Sequence, residues 1–374
     1  MSKSYFMPTR VIMGNNCVVE NSKMFSTYGK NAMIVTGKSS AKINGAEADV
    51  VEVLKAVGIN YLIYDQVMSN PTVSCVFEGA DYGRDNAVDF IIAIGGGSPL
   101  DAAKAMALII GSNLSEDNLF SGNYTEALPL IAIPTTAGTG SEVTQYSIIT
   151  NDVLETKIGI KTHLIFPKVA LLDAKYMMSL SVVNTVNTTI DALSHAVEGM
   201  ISIKASGISD SLATRSIRMI MGCVPTMMEV LEEEDSTLFT LEMREKFLYA
   251  STLAGMVIAQ TGTTAVHAMG YALTYNKQID HGRANGLLIG EFLRFTEKGE
   301  PKLVARVLEA MDIRRVDVYI DMMRKLFGEL EPISNEEIRT FSAKAILAGN
   351  ISNCPVIPTV ADLEAIFMAS FGVK

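Results

Sequence analysis

The sequence predicts an α/β domain with a mostly parallel sheet, followed by an all-α domain. Three observations lead there. A chain of 374 residues exceeds one ordinary hydrophobic core. Its first half alternates short apolar runs, several ending in glycine, with stretches of helical spacing. From about residue 180 the short runs give way to long helical periodicities. The predicted domains are residues 1–178 and 179–374, the second opening near "YMMSLSVVNT" (176–185).

In order, "AMIVTG" (32–37) reads as a strand and "EADVVEVLKAVG" (47–58) as a helix. "NYLIYDQV" (60–67) is the next strand and residues 74–86 the next helix. "VDFIIAIGGG" (88–97) is a strand running into glycines, and "PLIAIPTT" (129–136) is another strand. Such nearly continuous apolar strands suit a sheet covered on both faces. The second half shows helical periodicity over 188–203, 207–231, 242–273, 284–297, 301–311, 315–329 and 335–349.

Composition narrows the function. Hydrophobic residues make up 48% and charged residues 19%, a globular balance with ample core. A net charge of −10 argues against a general grip on nucleic acid phosphates. Cys17, Cys75, Cys223 and Cys354 are widely spaced, so neither a disulfide framework nor a zinc ribbon is expected, and a cytoplasmic setting fits. No run of 18 apolar residues predicts a membrane span, and "MSKSYFMPTRVIMGNN" lacks a signal-peptide pattern.

Two loops follow strands. In "FIIAIGGGSPLDAAKAMALI" (90–109), Gly96 and Gly97 let backbone N–H groups approach a phosphate, and the helix N-terminus adds partial positive charge. Ser98 and Asp101 fall in the first helical turn, where caps belong. In "IPTTAGTGSEVT" (133–144), Thr135, Thr136, Thr139 and Ser141 offer hydroxyls suited to a ribose, a diphosphate or an amide. Ligands of open α/β sheets bind beyond the carboxyl ends of the strands, where both loops are expected.

The helical half carries three of the four histidines in a pattern with chemistry. Asp191 and His195 in "TTIDALSHAVEGM" are four residues apart, just over one helical turn, so their side chains share a face. They can grip one cation or bond each other. His267 lies in the helical "TAVHAMGYAL", and His281 in "DHGRANG", read as beside a glycine turn. Any single histidine is more often a core residue than a ligand, but the Asp–His spacing suits shared coordination. One carboxylate and three imidazoles suit a divalent first-row metal such as Fe2+ or Zn2+. His163 in "IKTHLIFP" is expected at the surface or in a loop.

These motifs, with "PTRVIMG" and "KIGI", resemble in order and nearly end to end the iron-dependent (group III) alcohol dehydrogenases, above all their 1,3-propanediol and butanol dehydrogenase-like members. The resemblance implies a dehydroquinate synthase-like fold, in which a Rossmann-like nucleotide-binding domain precedes the helical one. It implies Fe2+, with Zn2+ as the other candidate, on Asp191, His195, His267 and His281. It implies a dinucleotide against Asn70, Gly96, Gly97, Ser98, Asp101, Thr135, Thr136, Thr139, Ser141 and Lys157. It also implies a small alcohol or aldehyde substrate and a homodimer or larger homo-oligomer.

Three positions depart from the family pattern. Tyr271 stands where many members carry a second histidine near the nicotinamide, and its hydroxyl could serve as a proton relay. Ser181 and Ala174 replace usual prolines. After the first strand, where an acidic residue would bond ribose hydroxyls and repel a 2′-phosphate, the sequence offers Gly37, Lys38, Ser39, Ser40 and Lys42. NADP(H) is therefore expected over NAD(H). The alternatives are a glycerol dehydrogenase-like polyol oxidoreductase, a dehydroquinate synthase-like lyase whose ligand set has glutamate in place of Asp191, and a non-catalytic nucleotide- or metal-binding module.

Overall fold

The computed structural model describes residues 3–151, 156–233 and 235–373. The chain gathers into two compact units, one running from Met7 to Leu180 and the other from Ser181 onward. The residues before Met7 belong with the second unit. There the Phe6 N–H donates to Gln260 Oε1 at 3.0 Å, and Gln260 Nε2 donates back to the Phe6 carbonyl at 2.7 Å.

The first unit is built on six strands: β1 (Arg10–Met13), β2 (Asn31–Gly37), β3 (Asn60–Val67), β4 (Phe90–Gly95), β5 (Leu130–Pro134) and β8 (Val169–Leu172). They lie in the order β1-β8-β5-β4-β2-β3, and every pairing is parallel. Side chains alternate across the sheet. Ile34, Ile92 and Ile133 face a layer containing Val50 and Leu54 of helix α1 (Ala46–Ala56). Met33 and Ile91 face Val76 of helix α2 (Val73–Asp85) and Met106 of helix α3 (Gly97–Ser112). Apolar residues on both faces explain why the strands read as unbroken hydrophobic runs. The chain order reverses at β2, with β3 on one side and β4 and β5 on the other. The ends of β2 and β4 thus flank a switch point of the doubly wound sheet.

Strands β6 (Tyr146–Asn151) and β7 (Thr156–Lys161) form a separate antiparallel pair that the sequence reading did not anticipate. It also did not list β1 and β8, whose four residues each are too few to show periodicity.

The second unit is helical: α4 (Val182–Ile201), α5 (Gly207–Met221), α6 (Val224–Glu233), α7 (Leu241–Thr261), α8 (Ala265–Lys277), α9 (His281–Glu297), α10 (Pro301–Ala310), α11 (Val316–Phe327), α12 (Asn335–Ala345) and α13 (Val360–Phe371). Two predicted long helices are each broken in two. The 207–231 stretch turns at Gly222–Cys223, and the 242–273 stretch ends its first helix at Gly262, whose φ of 65° a side chain would resist. His281 opens α9 instead of flanking a turn. Gly282 serves close packing: a Cβ there would lie 1.8 Å from the Asn187 carbonyl oxygen. No helix among the described residues is long and apolar enough to cross a membrane. The four cysteines are buried and form no disulfide.

Candidate functional site

Helix α4 sets the first two groups. Ser181 caps it by accepting from the Asn184 N–H at 3.2 Å, and its apolar sides are packed away. Asp191 and His195 are consequently buried carboxylate and imidazole one turn apart. Helix α8 contributes buried His267 and helix α9 contributes His281. Asp191, His267 and His281 each offer a ligand atom, and these atoms lie within 4.8 Å of one another. His267 Nε2 is 3.8 Å from Asp191 Oδ1, and His281 Nε2 is 4.0 Å from the same oxygen. His195 joins through His267: their Nε2 atoms are 2.9 Å apart, with the rings stacked at 4.6 Å.

The surroundings orient these nitrogens. Thr274 Oγ1 lies 3.3 Å from His281 Nδ1, on the side of the ring away from Asp191. Glu198 engages His267 Nδ1. Asn285 Nδ2 lies 3.1 Å from Asp191 Oδ1, 3.3 Å from His267 Nε2 and 3.2 Å from His281 Nε2, while its buried Oδ1 has no hydrogen-bond partner. Neither Glu198 nor Asn285 figured in the sequence reading. The signal for Glu198 was present: Asp191, His195 and Glu198 at i, i+4 and i+7 share one helical face. Tyr271 lies one turn past His267, stacked on His281.

Electrostatics favour charge here. Burial alone would raise the Asp191 pKa, but the imidazoles of His195, His281 and His267 outweigh it and hold the carboxyl below the usual range. Burial alone would lower the His267 pKa, but the adjacent Glu198 carboxylate raises it above the usual value. A convergent carboxylate and imidazoles fit a divalent cation, and the donor types suit Fe2+ or Zn2+. The Asn285 Oδ1 lies against Gly270, where a Cβ would come within 2.0 Å of it.

In the other unit the two loops meet at the strand ends. The Thr135 N–H donates to the Gly95 carbonyl at 2.9 Å. A Cβ at Gly97 would lie 2.6 Å from Thr139 Cγ2, so only glycine lets the loops pack this closely. A Cβ at Gly96 would approach Thr136 Oγ1 to 3.0 Å. Asn70, in a left-handed conformation with φ 57°, donates its N–H to Ser98 Oγ at 3.2 Å and accepts from Lys157 Nζ at 2.8 Å. Asn70, Ser98 and Lys157, far apart in sequence, are thus gathered beside the glycine turn.

Ser98 and Asp101 do not cap α3. Its N-cap is Gly96, with no side-chain bond. Asp101 instead accepts from Ser141 Oγ at 2.6 Å and from the Ile148 N–H at 3.0 Å, pinning the second loop and β6 to α3. Lys104, also unforeseen, completes this anchor from full burial: its Nζ donates to Ser141 Oγ at 2.7 Å, Thr144 Oγ1 at 3.1 Å and the Tyr146 carbonyl at 2.8 Å.

Beyond β2, Gly37 closes the strand, and Ser39 and Ser40 are exposed at the start of a single helical turn. Lys42, one of the two lysines noted there, is paired with Asp65 at 2.6 Å; Lys38 is exposed. His163 is exposed, as expected.

Residues 8–174 match the family described as iron-containing alcohol dehydrogenase, and residues 185–371 match the C-terminal part of the Fe-containing alcohol dehydrogenase family. The chain is 31% identical to an NADPH-dependent butanol dehydrogenase of Clostridium saccharobutylicum over 81% of its own length and 79% of the relative's. It is 28% identical to an NAD-dependent methanol dehydrogenase of Bacillus methanolicus over 97% and 98%. The crystal structure of an iron-containing alcohol dehydrogenase from Thermotoga maritima superposes with a TM-score of 0.91 at 36% identity, covering 100% of both chains.

Proposed function

The chain belongs to the iron-containing alcohol dehydrogenase family and is an enzyme of that kind; on that premise we propose that it exchanges hydride between NADP(H) and a small aliphatic alcohol, diol or aldehyde. The observation that carries the reading is the convergence of Asp191, His267 and His281 within 4.8 Å, with His195 facing His267. These four would hold the metal. When bound, the ion supplies Lewis acidity to the substrate oxygen, and the nicotinamide coenzyme supplies or accepts the hydride.

The protein's own groups have separable tasks. Glu198 and Thr274 hold the His267 and His281 rings. Gly96, Gly97, Thr135, Thr136 and Thr139 would receive the coenzyme's phosphates and ribose, with Asn70, Ser98 and Lys157 alongside. Asp101 and Ser141 keep the second loop in place through each other and Lys104. Tyr271 stacks on His281, and its hydroxyl would serve the substrate's proton.

The preference for NADP(H) rests on Gly37, Ser39 and Ser40 where an acidic residue would repel a 2′-phosphate. Relatives of both coenzyme types are similar to this chain, and the pairing of Lys42 with Asp65 leaves Lys38 as the cation to meet such a phosphate. Absorbance at 340 nm tests the reading directly. Short aliphatic aldehydes should oxidise NADPH faster than NADH at equal concentrations. No oxidation of NADPH or NADH by any aldehyde of a panel, and no reduction of NADP+ or NAD+ by any diol, with metal loaded, would reject it.

A further inference from the structure

We propose that Glu198 is a positioning residue that decides which nitrogen of His267 faces the metal centre, and that it does so by capping α8 and holding the imidazole with one carboxylate. This rests on the reading of His267 as a ligand.

Glu198 is fully buried on α4, three residues beyond His195, and reaches across to the start of α8. Its Oε1 accepts from the Thr264 N–H at 2.7 Å, the Thr264 hydroxyl at 2.7 Å and the His267 N–H at 3.3 Å. Thr264 is the N-cap of α8 and makes no side-chain cap bond to that helix itself. Glu198 thus supplies from another helix the acceptor that the buried N–H groups of the first turn, without partners inside their own helix, require. Its Oε2 takes the bond to His267 Nδ1.

The two tasks lock together. An ionised carboxylate only accepts, so the ring must donate from Nδ1, and the neutral ring then keeps its lone pair on Nε2. That nitrogen is the one beside His195 Nε2 and Asp191 Oδ1. Because Oε1 is tied to the backbone of the turn that carries His267, the carboxylate cannot swing away without uncapping the helix. A hydrogen-bonded carboxylate behind an imidazole also raises its strength as a ligand.

Glu198→Gln tests this with little change of size. The amide oxygen can still cap α8, but its NH2 would donate to Nδ1 and drive the ring proton onto Nε2. Affinity for Zn2+, read by competition with a chromophoric chelator, should fall about 10- to 100-fold, the usual effect of losing such a partner. Coenzyme affinity, set in the other unit, should stay at the wild-type value, and far-UV circular dichroism with the thermal midpoint checks that the helical unit has folded. Zinc affinity unchanged in a folded variant would overturn the proposal.

A second measurement needs no variant. In zinc-loaded wild type, 15N chemical shifts of the His267 ring should show Nδ1 protonated and Nε2 bound to metal. Metal on Nδ1 would overturn the proposal while leaving His267 a ligand. His267 shifts that ignore zinc would overturn the ligand reading and this proposal with it.

Discussion

The rings of Tyr271 and His281 lie face to face, their centroids 5.2 Å apart and their planes 5° from parallel. Tyr271 also meets His267 edge-on at 6.2 Å. A stacked aromatic pair contributes about 0.5–1.5 kcal/mol beyond burial, equivalent to roughly 2- to 10-fold in an equilibrium constant. Tyr271→Phe keeps the stack and should retain wild-type metal affinity, whereas Tyr271→Ala should weaken it by about that factor. Equal affinity in all three proteins would contradict a holding role. Turnover lost in the Phe variant with metal retained would assign proton transfer to the hydroxyl.

Lys104 gives a pH signature. Burial lowers its pKa to about 8, with Asp101 and Glu142 opposing the shift. The folded value lies below the unfolded one of about 10.4, so between them the unfolded chain binds more protons and stability rises with pH. The contribution is whole above the unfolded value and is lost as pH falls through about 8. Between pH 8 and 10, urea unfolding of wild type should gain about 2 kcal/mol relative to Lys104→Met. Parallel pH responses would contradict it.

Coenzyme choice is tested at the end of β2. A Cβ at Gly37 would meet the Val67 carbonyl at 3.4 Å and Ser40 Oγ at 3.8 Å, ordinary contact distances, so the backbone there accepts a side chain. Gly37→Asp should shift the ratio of kcat/KM for NADPH over NADH toward NADH by about ten-fold or more, since one charge repulsion of about 1.4 kcal/mol suffices. An unchanged ratio would reject the assignment of this turn.

Much of the first unit was legible because buried parallel strands write themselves as apolar runs. β4, Phe90–Gly95, is buried throughout and falls inside the predicted run 88–97; the half-buried edge strand β3 matches "NYLIYDQV" residue for residue. The β6–β7 pair was not legible, because its first strand alternates in burial and shows no continuous apolar run. In the helical half, Asp191 and His195 announced themselves through spacing. The same spacing put Glu198 on their face, but its role was not legible, because its partners Thr264 and His267 are 66 and 69 residues away. The glycines of "HGRANG" suggested a turn, since sequence alone does not separate flexibility from the close helix approach that Gly282 serves.

That approach is itself testable. A methyl at residue 282 would overlap the Asn187 carbonyl and press on Asp191, 3.0 Å from its Cβ. Gly282→Ala should cost about 1–3 kcal/mol, the usual range for overpacking, and reduce metal content. Thermal unfolding and metal analysis on the same sample check both. A stable variant with full metal would show that α4 and α9 separate freely.

The central claim is that Asp191, His195, His267 and His281 hold one ion on which turnover depends. Metal analysis of anaerobically purified wild type and His267→Ala, paired with coenzyme binding and aldehyde reduction, tests it most directly. Wild type should carry about one divalent ion per chain, as a single four-donor site implies. The variant should lose both the ion and turnover while still binding coenzyme. A metal-free variant, or chelated wild type, that reduces aldehydes at the full rate would contradict the account.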